Sequence, residues 1–102
     1  MPSSKEYLSF VLEQLSLSEC ISYRAMMGEY IIYYKNKIVG GIYDNRFLVK
    51  ITESSAEMLP EALRQRPYEN AKEMLLVDRI DDREFLADLF KAMYGELPER
   101  KK

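Results

Sequence analysis

The run from residue 24 to 52, RAMMGEYIIYYKNKIVGGIYDNRFLVKIT, limits this chain to few architectures. It holds most of the β-branched residues, five of the twelve aromatic ones, two turn signals and the adjacent glycines Gly40 and Gly41. Residues 30–34, 38–43 and 47–52 are short runs rich in Ile, Val, Tyr and Phe, separated by the polar pairs Asn36-Lys37 and Asp44-Asn45. Asn and Asp tolerate positive φ, so each pair reads as a two-residue hairpin loop. The register then follows: Tyr34 opposite Val39, Ile32 opposite Gly41, Ile42 opposite Phe47 and Gly41 opposite Leu48.

Side chains alternate along a strand, so this register sorts the sheet into two faces. One carries Ile31, Tyr33, Ile38, Gly40, Ile42, Phe47, Val49 and Ile51 and, being apolar, must be covered. The other carries Tyr30, Ile32, Tyr34, Val39, Gly41, Tyr43, Arg46, Leu48, Lys50 and Thr52. That second face mixes tyrosines with cations and reads as half-solvated or as a meeting surface.

The flanks read as helix. Ser3 and Glu6 have capping-box spacing, and Tyr7, Leu8, Val11, Leu12 and Leu15 make one apolar stripe over residues 3–17. A first strand is expected from Glu19 to Met27, ending at Gly28. A two-residue loop there points Arg24 at the apolar face beside Ile31 or Tyr33. A glycine bulge or three-residue loop puts it on the tyrosine face and avoids desolvating a charge, which favours the bulge. Residues 55–65 read as a second helical segment capped by Ser54 or Ser55 and interrupted by Pro60. Residues 64–72 read as a polar loop, and Met74 to Val77 as a short extra strand. Asp81 or Asp82 caps a last helix with the stripe Phe85, Leu86, Leu89, Phe90 and Met93, ending at Gly95. The expected fold is therefore α+β: an antiparallel four-stranded meander plus a short extra strand, with helices at both termini packed on one face. One domain spans residues 1–102.

Composition narrows the chemistry. There is no histidine and one cysteine, which removes Ser-His-Asp and Cys-His nucleophile systems and zinc-type sites. No metal and no cofactor is expected. Cys20 cannot form an internal disulfide, reads as a small buried hydrophobe, and suits a reducing cytoplasm. No apolar run approaches a membrane span, and no signal peptide is evident, so a cytoplasmic protein with no membrane partner is expected. The acids at 78, 81, 82 and 84 lack calcium-loop spacing and are explained by a helix N-terminus. The net charge of -2 gives little counterion release, so no tight autonomous binding to duplex DNA is expected.

Arg24, Arg46 and Lys50 interleave with Tyr30, Tyr34 and Tyr43, a pattern that can stack single-stranded nucleic acid or simply bury tyrosine rings beneath solvated cations. Tyr68 and Lys72, on the loop bearing Pro67, could approach the same edge and form with Lys50 a small pocket for an anion or a partner's carboxylate. Arg24, Tyr34, Lys50, Tyr68 and Lys72 are the candidate binding residues.

Four separated motifs resemble the TfoX (Sxy) amino-terminal domain. They are Arg24-x-Met26-Met27-Gly28-Glu29-Tyr30; Gly40-Gly41-x-x-Asp44-Asn45-x-x-Leu48-Val49-Lys50; Arg66-Pro67-Tyr68-Glu69-Asn70-Ala71-Lys72; and the acidic pair Asp81-Asp82. Met27 stands where that family usually has Phe. The competence regulators of the family carry a second, carboxy-terminal domain, so a stand-alone amino-terminal domain is expected here. The resemblance implies a bacterial, cytoplasmic, non-enzymatic domain that regulates competence or transcription through a protein partner, as a monomer or homodimer. The alternative is a small-molecule or nucleotide-binding domain that uses the Tyr/Lys face.

Overall fold

A computed structural model describes residues 4–18, 20–26, 28–67, 69–78 and 80–97. The first helix, α1 (Lys5–Gln14), begins at Ser4, whose side chain accepts from the Tyr7 amide at 3.1 Å, while Ser4 N–H donates to the side chain of Asn45 at 3.0 Å. Ser4 is thus the cap, and Ser3 lies outside the described residues. The helix buries Leu8 and Val11, and Leu15 just beyond it, as their spacing requires.

Four strands follow as a meander: β1 (Ile21–Met26), β2 (Glu29–Tyr34), β3 (Lys37–Tyr43) and β4 (Arg46–Val49). The last hairpin has the expected register, with Ile42 opposite Phe47 and Gly41 opposite Leu48. Its turn, Asp44-Asn45, has positive φ at both residues. The β2–β3 hairpin differs from expectation by one residue. Its turn is Lys35-Asn36, at φ 49 and 69, so Tyr34 pairs with Lys37 and Ile32 with Gly40. The two registers join at a bulge where Val39 is the extra residue of β3.

The bulge decides which side of β2 is core. Tyr30, Ile32 and Tyr34 join Ile42, Phe47 and Val49 under the helices, and Val39 is buried there too. Ile31 and Tyr33 take the opposite face, which reverses the expected assignment for β2 and for Val39. Tyr34 packs against Phe90 and Tyr94, with ring centroids at 5.7 and 5.8 Å. Lys37 Nζ donates to the Tyr94 carbonyl at 3.0 Å and sits 4.2 Å from that ring's centroid, so the shifted turn places a cation at a helix C-terminus.

After β4, Thr52 rather than Ser54 or Ser55 caps the short α2 (Glu53–Met58), in a capping box with Ser55. Part of the expected polar loop forms a two-residue strand, β5 (Arg64–Gln65), and β6 (Met74–Leu76) inserts between it and β4. All six strands form one antiparallel sheet in the order β1-β2-β3-β4-β6-β5. Asp82 accepts from the Phe85 amide at 3.0 Å and caps α3 (Arg83–Tyr94), which buries Leu86, Leu89, Phe90 and Met93 against the face that α1 covers. The fold is α+β with the helices near both termini on one side of the sheet. No described helix is long and apolar enough to cross a membrane.

Candidate binding face

Among the described residues, no helix packs on the sheet's second face. Tyr33, Gly41, Tyr43, Leu48, Met74 and Leu76 form its floor, and tyrosine rings close much of it. A Cβ at Gly41 would lie 2.6 Å from the Tyr43 ring, which shows that ring lying flat over the glycine. Tyr43, Leu48 and Met74 pack as a satellite cluster, with Leu76 against it, and Tyr33 is only 6% exposed. The rings are spent on covering the sheet, so they offer no stacking platform for bases.

Around this floor stand the cations. Arg24 is opposite Ile31 in β1, because Met26 pairs with Glu29 and the Gly28 turn has two residues, not a bulge. Gly28 takes φ 85 in that turn. The arginine does lie beside Ile31, as a two-residue loop requires, but on the helix-free face, where it stays exposed and hydrated. Lys50 follows Val49, whose side chain is in the helix-covered core, and precedes Ile51, which packs on the same core. Alternation therefore sends Lys50 to the helix-free face. Its own amide donates to the Val39 carbonyl at 2.9 Å, and its carbonyl accepts from Ser55 Oγ at 2.9 Å, so its backbone is fixed while its side chain is half-exposed. Arg46 is committed locally: Nε donates to the Tyr43 carbonyl at 3.1 Å and Nη1 donates to Gln65 Oε1. Glu29, also on this side, accepts from the Asp44 amide.

Of the five candidate residues, the fold brings Arg24 and Lys50 to this face. Tyr34 is removed from it, at 3% exposure within the core. Tyr68 lies outside the described residues. Lys72 is exposed on the connection before β6. Since Val49 pairs with Leu75 in antiparallel register, Lys72 comes to the sheet end that carries Lys50. Sequence reasoning missed Met26, which is exposed on the same face, and Tyr33 as part of the floor. Both follow from the bulge at Val39, which turns the odd-numbered residues of β2, and with them Met26 opposite Glu29, to this face.

The expected buried Cys20 is instead exposed, at φ 57 just before β1. Among the described residues, two groups depart clearly from their ordinary pKa, and neither is on this face. Burial pushes the Tyr7 phenol up, opposed by the Phe47 backbone amide. The Glu96 carboxylate is held below its ordinary value by the Ser54 amide and hydroxyl and by Thr52. Both shifts arise from groups that fasten helices. Among the described residues no group of three or more His, Cys, Asp or Glu could hold a metal ion.

With this geometry established, comparison adds one relative. The chain is similar to an uncharacterized 12.7 kDa protein in the trpE 5′ region of Spirochaeta aurantia. The two are 29% identical over 102 residues, covering 99% of this chain and 89% of that protein. No family model matches the chain, and no solved structure matches it. The motifs of the TfoX resemblance can nevertheless be read physically. Gly40 and Gly41 are needed where a Cβ would meet β4 backbone or the Tyr43 ring, and Asp44-Asn45 is a positive-φ turn. Among the described residues, the side chains of Arg24, Lys50 and Lys72 have no such local duty.

Proposed function

We propose that this chain is a non-enzymatic interaction module of the TfoX amino-terminal type, which engages an acidic patch on a protein partner through its helix-free face. The observation that carries this reading is the division of labour on that face. Tyrosines form a closed floor, while Arg24 stands exposed and Lys50 half-exposed above it, both on rigid backbone. Cations held by a sheet and freed from structural duty suit carboxylates of a partner surface. The net charge of -2 disfavours duplex DNA as that partner, because the protein as a whole repels phosphate. Regulation of competence or transcription, which the family resemblance implies, would then run through the captured protein.

The test is affinity capture from a lysate of the native organism with the wild type and with Arg24→Ala/Lys50→Ala, captured proteins and small molecules being identified by mass spectrometry. The proposal expects one acidic protein enriched by the wild type and lost by the variant. Enrichment of a small molecule instead would favour the nucleotide-binding alternative. A protein captured equally by both would remove this face from the account. Neither side chain is part of the core, so the variant's stability should stay within about 1 kcal/mol of wild type.

A further inference from the structure

The two edges of the sheet are unlike. One ends in β5, two residues long with exposed Arg64 at its start. Short charged edges of this kind resist further pairing. The other edge is β1, paired with β2 over six consecutive residues with no bulge and containing no proline. Five of its residues, Ser22 to Met26, are exposed, among them Tyr23 at 50% and Met26 at 46%. This edge has none of the usual protection except a single cation, Arg24.

The backbone polarity of β1 can be read from its neighbour. The Cys20 carbonyl accepts from the Lys35 amide at 3.1 Å, so Cys20 points toward β2. In an antiparallel ladder the direction alternates, and Ser22, Arg24 and Met26 point inward with it. Ile21, Tyr23 and Ala25 therefore aim their N–H and C=O groups outward, away from the sheet.

We infer that β1 pairs antiparallel with β1 of a second copy of this chain, about a two-fold axis at Tyr23. Self-pairing about an axis normal to the sheet keeps each face on its own side, so only like-facing residues can stand opposite each other. With the axis at Tyr23, Tyr23 faces the partner's Tyr23 and Ile21 faces the partner's Ala25. Every outward group then finds a mate, giving about six interchain hydrogen bonds. Ser22 falls opposite the partner's Arg24. Moving the axis to Arg24 would set two arginines directly opposite each other, which is unfavourable. Moving it to Ser22 would shorten the overlap.

Two further features fit an occupant here. An open depression of about 570 Å³ lies between the end of α1 and the first half of β1, bounded by Leu12, Leu15, Ser18, Cys20, Ile21 and Tyr23. The Oγ of Ser18 is buried with no hydrogen-bond partner among the described residues. The same register carries the partner's β1–β2 turn toward Ser18. The association is isologous and closes on itself, since the other edge is blunted. It doubles the six-stranded sheet and leaves both helix-free faces on one side, so the inference extends the proposed function without depending on it.

The test uses the full chain in analytical ultracentrifugation, with Ala25→Pro and Tyr23→Pro as variants. Proline at these outward positions removes only edge N–H groups and is compatible with the β1–β2 ladder. The wild type should sediment at twice the 12.0 kDa of one chain. Ala25→Pro, which by symmetry deletes two interchain bonds, should raise the dissociation constant at least about thirtyfold with an unchanged circular dichroism spectrum. Cys20 is the single cysteine and is exposed, so a spin label there reads the register directly. Its two copies should lie about 20 Å apart, from six residues of strand offset. A wild type that stays at 12.0 kDa up to about 1 mM overturns the inference, even if an extended peptide then binds the edge. So does a dimer whose labels lie outside about 15–30 Å, or one that folded Ala25→Pro leaves intact. Should Ala25→Pro fail to fold, Tyr23→Pro and the label distance in the wild type decide the matter.

Discussion

Replacing Tyr34 by Ala tests the register of the sheet through the core. The ring is 3% exposed and is held between Phe90 and Tyr94 at centroid distances of 5.7 and 5.8 Å. A buried aromatic side chain removes about 150–250 Å² from water. At ~25 cal/mol per Å² the smaller figure is worth ~4 kcal/mol. Each ring pair adds ~0.5–1.5 kcal/mol, and partial collapse of the cavity returns some of the total. The expected cost is therefore about 3–5 kcal/mol, the range for truncating a core aromatic. In urea denaturation this should lower the midpoint by roughly 2 M at an unchanged slope, given slopes of ~1–3 kcal/mol per M. Lys50→Ala is the control and should lose no more than ~0.5 kcal/mol. A loss below ~1 kcal/mol for Tyr34→Ala would refute the reasoning, because the bulge at Val39 could not then be sending this strand's even-numbered residues into the core.

Other consequences are as direct. Gly40→Ala would bring a Cβ 2.1 Å from the Leu48 carbonyl oxygen, and Gly41→Ala one 2.6 Å from the Tyr43 ring. Both should destabilise in a thermal melt, Gly40→Ala more, since its approach to backbone is closer, 2.1 Å against 2.7 Å from the Tyr30 carbonyl oxygen at Gly41, and overpacking costs about 1–3 kcal/mol or more. Glu96 joins the chain after α3 to α2, accepting from Ser54 N and Oγ at 2.9 and 2.7 Å. Its folded pKa is lowered, so its contribution is present above the unfolded pKa and disappears as pH falls through the folded one. Glu96→Gln should thus melt below wild type at neutral pH, with the difference vanishing in acid. Cys20, exposed at positive φ, should react with a thiol reagent in the native protein without prior unfolding, and a protected thiol would contradict its placement.

How far the sequence reaches is best seen in the two hairpins of the meander. Asp44-Asn45 carries strong turn chemistry on both residues, and the register of Ile42 with Phe47 follows from it correctly. In Lys35-Asn36-Lys37 only the asparagine signals a turn, and local propensity does not show which lysine shares it. The structure puts Lys35 in the turn and uses Lys37 to bond the C-terminal carbonyl of α3, a long-range reason that residues 34–38 do not contain. Moving the turn by one residue alone would still set the even-numbered residues of β2 opposite odd-numbered residues of β3; the extra residue at Val39 is what brings Tyr30, Ile32 and Tyr34 to the face of Gly40 and Ile42. The helices were legible because their stripes are long and periodic. The exact caps were not, since Ser3 and Ser4, or Thr52, Ser54 and Ser55, are chemically near-equivalent. Arg24 and Lys50 were recognisable as candidates because strand propensity does not explain them. Tyr34 was misplaced for want of the bulge.

The most direct measurement of the central claim is amide chemical-shift mapping of the isotope-labelled chain as the captured partner protein is added. The account predicts perturbations concentrated on Arg24, Met26, Tyr33 and Lys50, with the exposed residues of α1 and α3 unchanged. Perturbations concentrated on the outer surfaces of α1 and α3, with Arg24 and Lys50 silent, would contradict it.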